Sequence, residues 1–544
     1  MAGLTYAEAP IASAGLLDRA RIVAKPGFNR WLVPPAALAI HLCIGMAYGF
    51  SVFWLPLTRA IGIDKSIAAP AGTSILTMLV TTSYDWRVSD VTVLYTLFFV
   101  FLGSAAAIWG GWLERVGPRR AGVFATACWC GGLLISAIGV YTHQLWMMWL
   151  GSGVLGGIGL GLGYISPVST LIKWFPDRRG MATGMAIMGF GGGALIGAPL
   201  ADKLMNFFRT PTSMGVAETL LAMAAVYTVF MLAGSFGYRV PPANWAPEGW
   251  TKPAAKRGMI THRDVHLKDA HKTPQFWLIW AVLCLNVSAG IGVLAVASPM
   301  LQVMFGGGLI GQPAVKFSAL SADQARQVAT IAAGFVGLLS LFNIGGRFFW
   351  ASISDKIGRR ATYATFFALG IAMYAGSPWA AGIGSVALFV TFMCVILSMY
   401  GGGFATVPAY LADMFGTRFV GAIHGRLLTA WSTAGVIGPL VITQIPEMQI
   451  ASGMPKELAY GNTLYILAGF LALGFVCNLL IRPVADKWHM PESSGAMSAA
   501  VAGGSYGIGR GGFSLPALLA WACVGLPLAW GVWITLGKAI VLFQ

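Results

Sequence analysis

Residues 114–120 read Glu-Arg-Val-Gly-Pro-Arg-Arg, and residues 355–360 read Asp-Lys-Ile-Gly-Arg-Arg. The central glycines of these two segments are 241 positions apart. A second pair of landmarks has nearly the same offset, because the turn and helix from Phe175 to Pro199 match those from Phe415 to Pro439, 240 positions later. Two unrelated landmarks with one offset indicate an internal duplication, which predicts two homologous halves.

Long apolar stretches surround both copies of the repeated segment. Hydrophobic residues make up 57% of the 544 residues and charged residues only 10%, with a mean hydropathy of +0.73. Soluble domains carry roughly 25% charged residues, so a chain this apolar cannot present a surface compatible with water. A helix needs about 20 mostly apolar residues to cross a bilayer. Such runs recur along nearly the whole chain and do not alternate as barrel strands do, which predicts an all-α membrane protein.

Thirteen membrane-spanning helices are predicted, at residues 32–55, 91–112, 120–141, 146–171, 181–203, 217–238, 275–302, 327–352, 362–380, 385–411, 421–443, 460–481 and 515–537. The first twelve form two six-helix halves, and the thirteenth lies outside the repeat. The predicted domains are an N-terminal segment 1–30, the halves 31–238 and 275–481 joined by a basic linker 239–274, a Gly/Ser-rich flexible tail 482–512, and an extra transmembrane region 513–544.

The positive charge of the chain can be explained by the membrane alone. The formal net charge of +16 would also suit a nucleic-acid-binding protein. Most Lys and Arg residues, however, fall on one side of the predicted spans, which is the asymmetry that the positive-inside rule describes. We therefore expect a multi-pass protein of a bacterial inner membrane, with a cytoplasmic N-terminus, a C-terminus outside, and no nucleic-acid partner.

The repeated segment resembles the cytoplasmic loop motif of the major facilitator superfamily. Three further segments resemble the oxalate/formate antiporter family within it: Lys173–Gly180 after span 4, Thr273–Trp277 at the start of span 7, and Leu341–Arg359 in span 8. The resemblance covers residues 31–481 and leaves out the thirteenth span. It implies the major facilitator fold, alternating access, and a monocarboxylate-transporter-like member with an extra C-terminal span.

The resemblance also implies a conformational latch, since a carboxylate at a helix end can pair with an arginine of the other half and hold one conformation. The candidate latch residues are Glu114, Arg115, Arg119, Arg120, Asp355, Lys356, Arg359 and Arg360.

Arg347 is the main candidate for substrate binding. It precedes Asp355 by eight residues, about 12 Å along a helix, which places it inside the membrane. A charge at that depth is costly and usually functional. No acidic residue falls in the middle of a predicted span, so the expected partner is a substrate anion; the alternative is an arginine that snorkels to the interface. In the resembling family the arginine at this position binds the substrate carboxylate, and Asn343, one turn away, could also donate to it.

The charge of the substrate depends on span 11. The oxalate pattern of the resembling family has a lysine there, where this chain has Trp431. One cation suits a monoanion, whereas two cations suit a dianion. Arg426 and His424, earlier in the same span, could supply the second charge, or they lie at the membrane interface.

Aromatic side chains are expected to line the cavity. The resemblance places Tyr48, Phe50, Tyr164, Tyr400 and Phe404 at the aromatic positions of the family, although each is also compatible with ordinary helix packing.

His41 lies near the middle of span 1 and is the candidate proton carrier, because histidine titrates near neutral pH. The alternative is a histidine that is hydrogen-bonded within the helix packing.

These features favour a secondary active transporter of small organic anions, chiefly monocarboxylates, coupled to a proton or to a counter-anion. The alternatives are an oxalate or dicarboxylate exchanger that uses Arg426, and a membrane sensor built on a transporter scaffold. No nucleophile motif, buried carboxylate pair or metal-ligand cluster supports an enzyme, and we expect no cofactor. The expected partners are the substrate, the coupling ion and the lipid bilayer, with a monomer as the functional unit.

Overall fold

The computed structural model describes residues 15–63, 66–70, 72–242, 245–247, 250, 259–261, 263–491 and 514–539. Within these ranges the chain is almost entirely helical, with one long helix for each of the thirteen predicted spans. Most of the predicted flexible tail 482–512 and the first half of the N-terminal segment lie outside the described residues.

The N-terminal half contains six helices. They are α1 (Val33–Ile44, continued as a 3₁₀ helix over Gly45–Phe53), α2 (Val88–Val116), α3 (Pro118–Tyr141), α4 (Leu145–Trp174), α5 (Arg179–Phe208) and α6 (Val216–Gly237).

The C-terminal half repeats this arrangement, and one more helix follows it. The helices are α7 (Pro274–Phe305), α8 (Ala322–Ile357), α9 (Arg359–Gly382), α10 (Val386–Phe415), α11 (Val420–Leu427 and Thr429–Ala451), α12 (Lys456–Leu480) and α13 (Leu515–Ala539). By length and composition, twelve helices of the described chain can cross a membrane, and α9 is the long helix outside that set.

The duplicated glycines make the same sharp turn in both halves. Gly117 separates α2 from α3 with a φ of 85°, and Gly358 separates α8 from α9 with a φ of 87°. Residues that carry a side chain rarely adopt a positive φ, so glycine is the residue that permits each turn. We call the membrane face that carries these two turns the motif face; it is the face that we expect to be cytoplasmic.

The two halves meet along α5 with α8, and along α2 with α11. Glycines allow these helices to approach closely, as is common between membrane helices. A Cβ atom at Gly184 would lie 2.8 Å from the Arg347 carbonyl oxygen, and one at Gly425 would collide with the Ala106 carbonyl. The site that carries Arg347 is therefore formed where the halves are in direct contact.

Helix α13 packs on the outside of this interface and touches both halves. Near its start, Trp521 donates a hydrogen bond to the Trp31 carbonyl at the beginning of α1 (3.2 Å). Farther along, Gly531 packs against Leu195 of α5, and Thr535 packs against Gly337 of α8. Helix α13 thus starts at the motif face and ends at the opposite face.

Candidate substrate-binding site

Arg347 lies at the centre of the interface and is completely buried. Its Nε donates to Oδ1 of Asn343, one turn earlier in α8 (2.9 Å), and its Nη1 donates to the Ile187 carbonyl of α5 (3.2 Å). Its Nη2 is buried and has no hydrogen-bond partner. Among the described residues, no carboxylate forms an ion pair with this guanidinium. The protein thus orients the group but leaves its charge unpaired.

Two rings, one from each half, flank the guanidinium. Its central carbon lies 5.8 Å from the ring of Phe190 in α5 and 5.4 Å from the ring of Phe404 in α10. These are cation–π distances, and such contacts gain strength where water is excluded. They stabilise a buried cation without neutralising it, so an incoming anion would meet a full positive charge.

Trp431 is the hub of the aromatic cluster around Arg347. It is fully buried, and its ring centroid lies 4.4–6.2 Å from five others, those of Tyr48, Phe99, Tyr164, Phe190 and Phe404. The indole Nε1 and the Tyr164 hydroxyl are both buried without a hydrogen-bond partner. The cluster therefore combines apolar surface with neutral donors that a ligand could use.

Tyr400 joins the cluster through a contact between the halves. Its hydroxyl lies 3.3 Å from the hydroxyl of Tyr48, and its ring lies 5.3 Å from that of Phe404. The structure thus brings together Arg347, Asn343, Trp431 and four of the five aromatic residues predicted to line the cavity.

Phe50 is the predicted aromatic residue that the structure leaves out of this cluster. It packs against Phe53, Trp54 and Phe98 inside the N-terminal half. Phe50 follows Tyr48 by two residues, and such residues point to nearly opposite sides of a helix. Only Tyr48 can therefore face the C-terminal half.

The three remaining candidates separate into two groups. His41 and His424 are buried on either side of Tyr164, with ring centroids 5.3 and 5.9 Å from it. Arg426 instead donates to the Leu267 carbonyl (2.7 Å) and contacts Nδ1 of His271 (2.8 Å), both in the linker at the motif face. Arg426 is therefore engaged outside the cluster, and His424 is the nearer candidate for a second charge.

On the motif face, the carboxylate of Glu114 at the end of α2 forms a hydrogen bond between the two halves. Its carboxylate accepts hydrogen bonds from the Gly421 N–H at the start of α11 (3.1 Å), the Ser169 hydroxyl (3.1 Å) and the Lys173 ammonium (2.6 Å). Gly421 belongs to the other half. A carboxylate at a helix N-terminus is favoured by the exposed N–H groups and by the helix dipole.

Asp355 at the end of α8 makes the equivalent contact in the duplicated position. It accepts from the N–H groups of Gly180 (2.8 Å) and Met181 (3.0 Å) at the start of α5, and from Arg359 (2.6 Å). Met181 and Gly421 are 240 positions apart, so both contacts follow the sequence repeat. The candidate latch therefore centres on two carboxylates, each of which caps a helix of the opposite half.

A further ion-pair network strengthens the Asp355 contact. Asp413 at the end of α10 binds Arg359 of its own half and Arg179 of the other half, each at 2.9 Å. All three side chains are at least largely buried. This pairing across the halves closes the motif face below Arg347.

The other predicted latch residues do not join these contacts. Arg119 donates to the Leu16 and Phe236 carbonyls within the N-terminal half, and Arg360 donates to the Leu479 carbonyl within the C-terminal half. The remaining side chains, which lie exposed at the motif face, are Arg115, Arg120 and Lys356.

Sequence reasoning did not single out Phe99 and Phe190 in the site, or Lys173, Arg179 and Asp413 in the latch. For the latch a signal existed, because Lys173 and Asp413 occupy equivalent positions 240 residues apart. No sequence pattern distinguishes Phe99 and Phe190 from the other 29 phenylalanines of the chain. Only the fold brings these two rings into the cluster around Arg347.

Comparisons with known proteins agree with this architecture. The oxalate:formate antiporter of Oxalobacter formigenes is 26% identical over 411 residues, which cover 75% of this chain and 83% of that protein. Apicoplast pyruvate carrier 1 of Toxoplasma gondii is 23% identical over 519 residues, covering 83% of this chain and 88% of the carrier. Among solved structures, the proton:xylose symporter XylE superposes with a TM-score of 0.57 at 14% identity, covering 84% of this chain and 97% of XylE.

The chain also matches the Major Facilitator Superfamily over residues 66–439, more than half its length. The fold, the duplication and the resemblance drawn from the sequence are thereby confirmed. The chain belongs to the Major Facilitator Superfamily, and it is a multi-pass membrane transporter rather than an enzyme.

Proposed function

We propose that this protein carries small monocarboxylates, such as pyruvate, lactate or formate, across the membrane by alternating access. The observation that supports this function most strongly is the buried Arg347 guanidinium, whose Nη2 has no partner and whose charge is unpaired. Burying an unpaired charge costs several kcal/mol even after relaxation. A substrate anion that binds between the halves would supply the missing partner.

A single carboxylate fits the donors that converge on the cluster. The planar guanidinium suits a two-oxygen anion, and the free Tyr164 hydroxyl and Trp431 Nε1 are neutral donors close by. The aromatic walls would then contact the short apolar part of the substrate. The names of two relatives, an oxalate:formate antiporter and a pyruvate carrier, refer to small carboxylates.

The preference for one carboxylate over two follows from the surroundings of Arg347. Trp431 stands where the oxalate pattern has lysine, and Arg426 is engaged with the linker. A second carboxylate in the cluster would lack a cation. The second candidate function, a dicarboxylate exchanger, is favoured by one observation: His424 is buried near Tyr164 with both ring nitrogens unbonded.

A competition experiment separates the two functions. Purified protein in liposomes preloaded with pyruvate would take up labelled pyruvate, with formate, lactate, oxalate and malonate as competitors. We expect the monocarboxylates to compete at least about a hundredfold better than oxalate, because an unpaired carboxylate costs several kcal/mol and 1.4 kcal/mol corresponds to a tenfold change in affinity.

Variants of Trp431 supply the matched control. Trp431→Lys should shift preference toward oxalate and malonate, whereas Trp431→Phe, which changes the ring without adding charge, should keep the monocarboxylate preference. If oxalate is the best competitor of the wild-type protein, the monocarboxylate assignment is wrong and His424 becomes the second cation.

A further inference from the structure

His41 is placed between two backbone carbonyl groups. It is fully buried in α1. Its Nδ1 contacts the Ala186 carbonyl oxygen of α5, and its Nε2 lies 3.1 Å from the Tyr164 carbonyl oxygen of α4. Both neighbours are acceptors only, and neither can donate a proton to the ring.

Hydrogen bonding in this arrangement suits the charged form of the ring, whereas its complete burial and the nearby Arg347 guanidinium disfavour a charge there while the site is empty. A neutral imidazole has one N–H donor and one acceptor nitrogen, whereas an imidazolium has two donors. In either neutral tautomer, one nitrogen lone pair of His41 faces a carbonyl oxygen. Only the imidazolium donates to both the Ala186 and the Tyr164 carbonyl groups.

The charges around His41 tie its protonation to the occupancy of the site. Arg347 of α8 is the charged group that faces it, and Phe190 of α5 contacts both, with its ring 6.4 Å from the His41 ring and 5.8 Å from the guanidinium carbon. The other titratable neighbours are Tyr164 of α4 and His424 of α11. A second cation beside Arg347 is unfavourable while the site is empty, and it becomes favourable when an anion binds.

We propose, on the basis of the function proposed above, that His41 is the proton-binding site of the transport cycle, and that one proton crosses with each monocarboxylate. The anion binds Arg347, the proton binds the His41 ring, and both leave together on the other side. The loaded site then carries the same net charge as the empty site. Both forms of the carrier can therefore change conformation at a similar electrostatic cost, which is what symport requires.

Proton uptake on binding is the direct test, and it uses the wild-type protein. Pyruvate is added to purified protein in a weakly buffered solution that contains a pH indicator. Binding is followed by the change in intrinsic tryptophan fluorescence, to which Trp431 contributes. We expect close to one proton taken up per pyruvate bound. Binding without proton uptake would overturn the proposal and leave the transport of monocarboxylates standing.

Variants separate net transport from exchange. His41→Gln, with His41→Asn as a second variant, should lose pyruvate accumulation driven by an inward pH gradient. Both should keep pyruvate-for-pyruvate exchange, which also shows that they are folded. In the wild type, one pH unit should support about tenfold accumulation, because one proton per anion converts a tenfold proton gradient into a tenfold pyruvate gradient.

His143→Gln is the matched control, because His143 is also a buried histidine that contacts one carbonyl, that of Tyr84, but it lies outside the site. It should accumulate pyruvate as the wild type does. Accumulation by both His41 variants, or its loss in His424→Gln but not in them, would overturn the assignment. If the wild-type protein neither binds nor exchanges pyruvate, lactate or formate, the proposed function itself fails, and the proton site fails with it.

Discussion

The Arg347 guanidinium is held by the protein on one edge and left free on the other. Asn343 and the Ile187 carbonyl fix Nε and Nη1, so the plane of the group is set before a ligand arrives. A Cβ atom at Gly191 would lie 3.0 Å from Nε, which shows how closely α5 approaches. Preorganisation of this kind reduces the entropy that binding must overcome.

Replacement of Arg347 should therefore abolish transport. Arg347→Gln removes the charge, and Arg347→Lys removes the planar fork that matches a carboxylate. For the lysine variant we expect about 10- to 100-fold weaker pyruvate binding, since a charged hydrogen bond contributes about 1.5–3 kcal/mol. Uptake into proteoliposomes measures the effect, and Arg426→Gln, at the linker, should retain uptake. Normal uptake by Arg347→Gln would contradict the site assignment.

At this scale polar residues are easier to single out in the sequence than aromatic ones. Arg347 stood out because a charge inside a span needs an explanation, and Trp431 stood out against a family pattern. The structure separates Phe50 from the cluster and adds Phe190 to it. The sequence did not indicate either position, because aromatic side chains are common throughout this chain and their contacts depend on helix rotation. Rotation is set by neighbouring helices, and no local pattern encodes it.

Among the helices, α13 is the one that the duplication does not explain. Most of its side chains are at least partly exposed in the described chain, as expected for a helix that faces lipid. The narrow buried stripe contacts α5 at Leu195 and α8 at Gly337, which belong to different halves. Lys203 of α5 also lies 5.1 Å from the ring of Trp530. Helix α13 therefore bridges the interface between the two halves, whose relative movement alternating access requires. It does so at a distance from the candidate substrate site.

Two glycines of α13 allow a matched test of this contact. Gly531→Leu places a side chain against the Leu195 backbone, which a Cβ atom would already approach to 2.9 Å, whereas Gly525→Leu enters open space. We expect Gly531→Leu to slow transport severalfold and to lower thermal stability, since overpacking costs about 1–3 kcal/mol, with pyruvate affinity unchanged. Gly525→Leu should behave as the wild type. Equal behaviour of the two variants would show that α13 is not coupled to the moving halves.

The positions of the thirteen long helices agree with the predicted spans, but their lengths and irregularities were not predicted. The fifth span was predicted at 181–203 and the helix runs over Arg179–Phe208, because helices continue past the apolar core while hydropathy detects only the core. The 3₁₀ segment Gly45–Phe53 and the break in α11 at Leu428 are packing effects. Both lie beside the candidate substrate site, where tertiary contacts override local preference.

For the molecule as a whole, we expect the duplicated carboxylates to influence which face is closed. Glu114 caps α11 and Asp355 caps α5, and both contacts must break before the motif face can open. The two contacts are far apart in sequence but equivalent in the repeat. Each should contribute separately to the preference for the closed arrangement, as carboxylates at helix N-termini do.

Removing these charges should favour the opposite conformation. Glu114→Gln and Asp355→Asn should each raise the population open at the motif face by about 2- to 30-fold, from about 0.3–2 kcal/mol per contact. Reaction of cysteines introduced near the start of α5 with a membrane-impermeant reagent measures that opening. Asp269→Asn, which removes an exposed ion pair with Lys272 in the linker, is the control. If cysteine reactivity stays unchanged in a variant that combines Glu114→Gln with Asp355→Asn, the two carboxylates do not hold this face closed.

The contacts of α13 also set an order of assembly. Its contacts with Leu195 of α5 and Gly337 of α8 can form together only after these two helices have come together, whereas its contact with Trp31 needs the N-terminal half alone. Ribosomal synthesis delivers the N-terminal half first and α13 last, and domains generally fold as they emerge. Helix α13 can therefore complete its docking only on a joined pair of halves. We therefore expect α13 to finish packing last during biogenesis, and to keep the face that contacts α8 exposed to lipid in a chain whose halves have not joined.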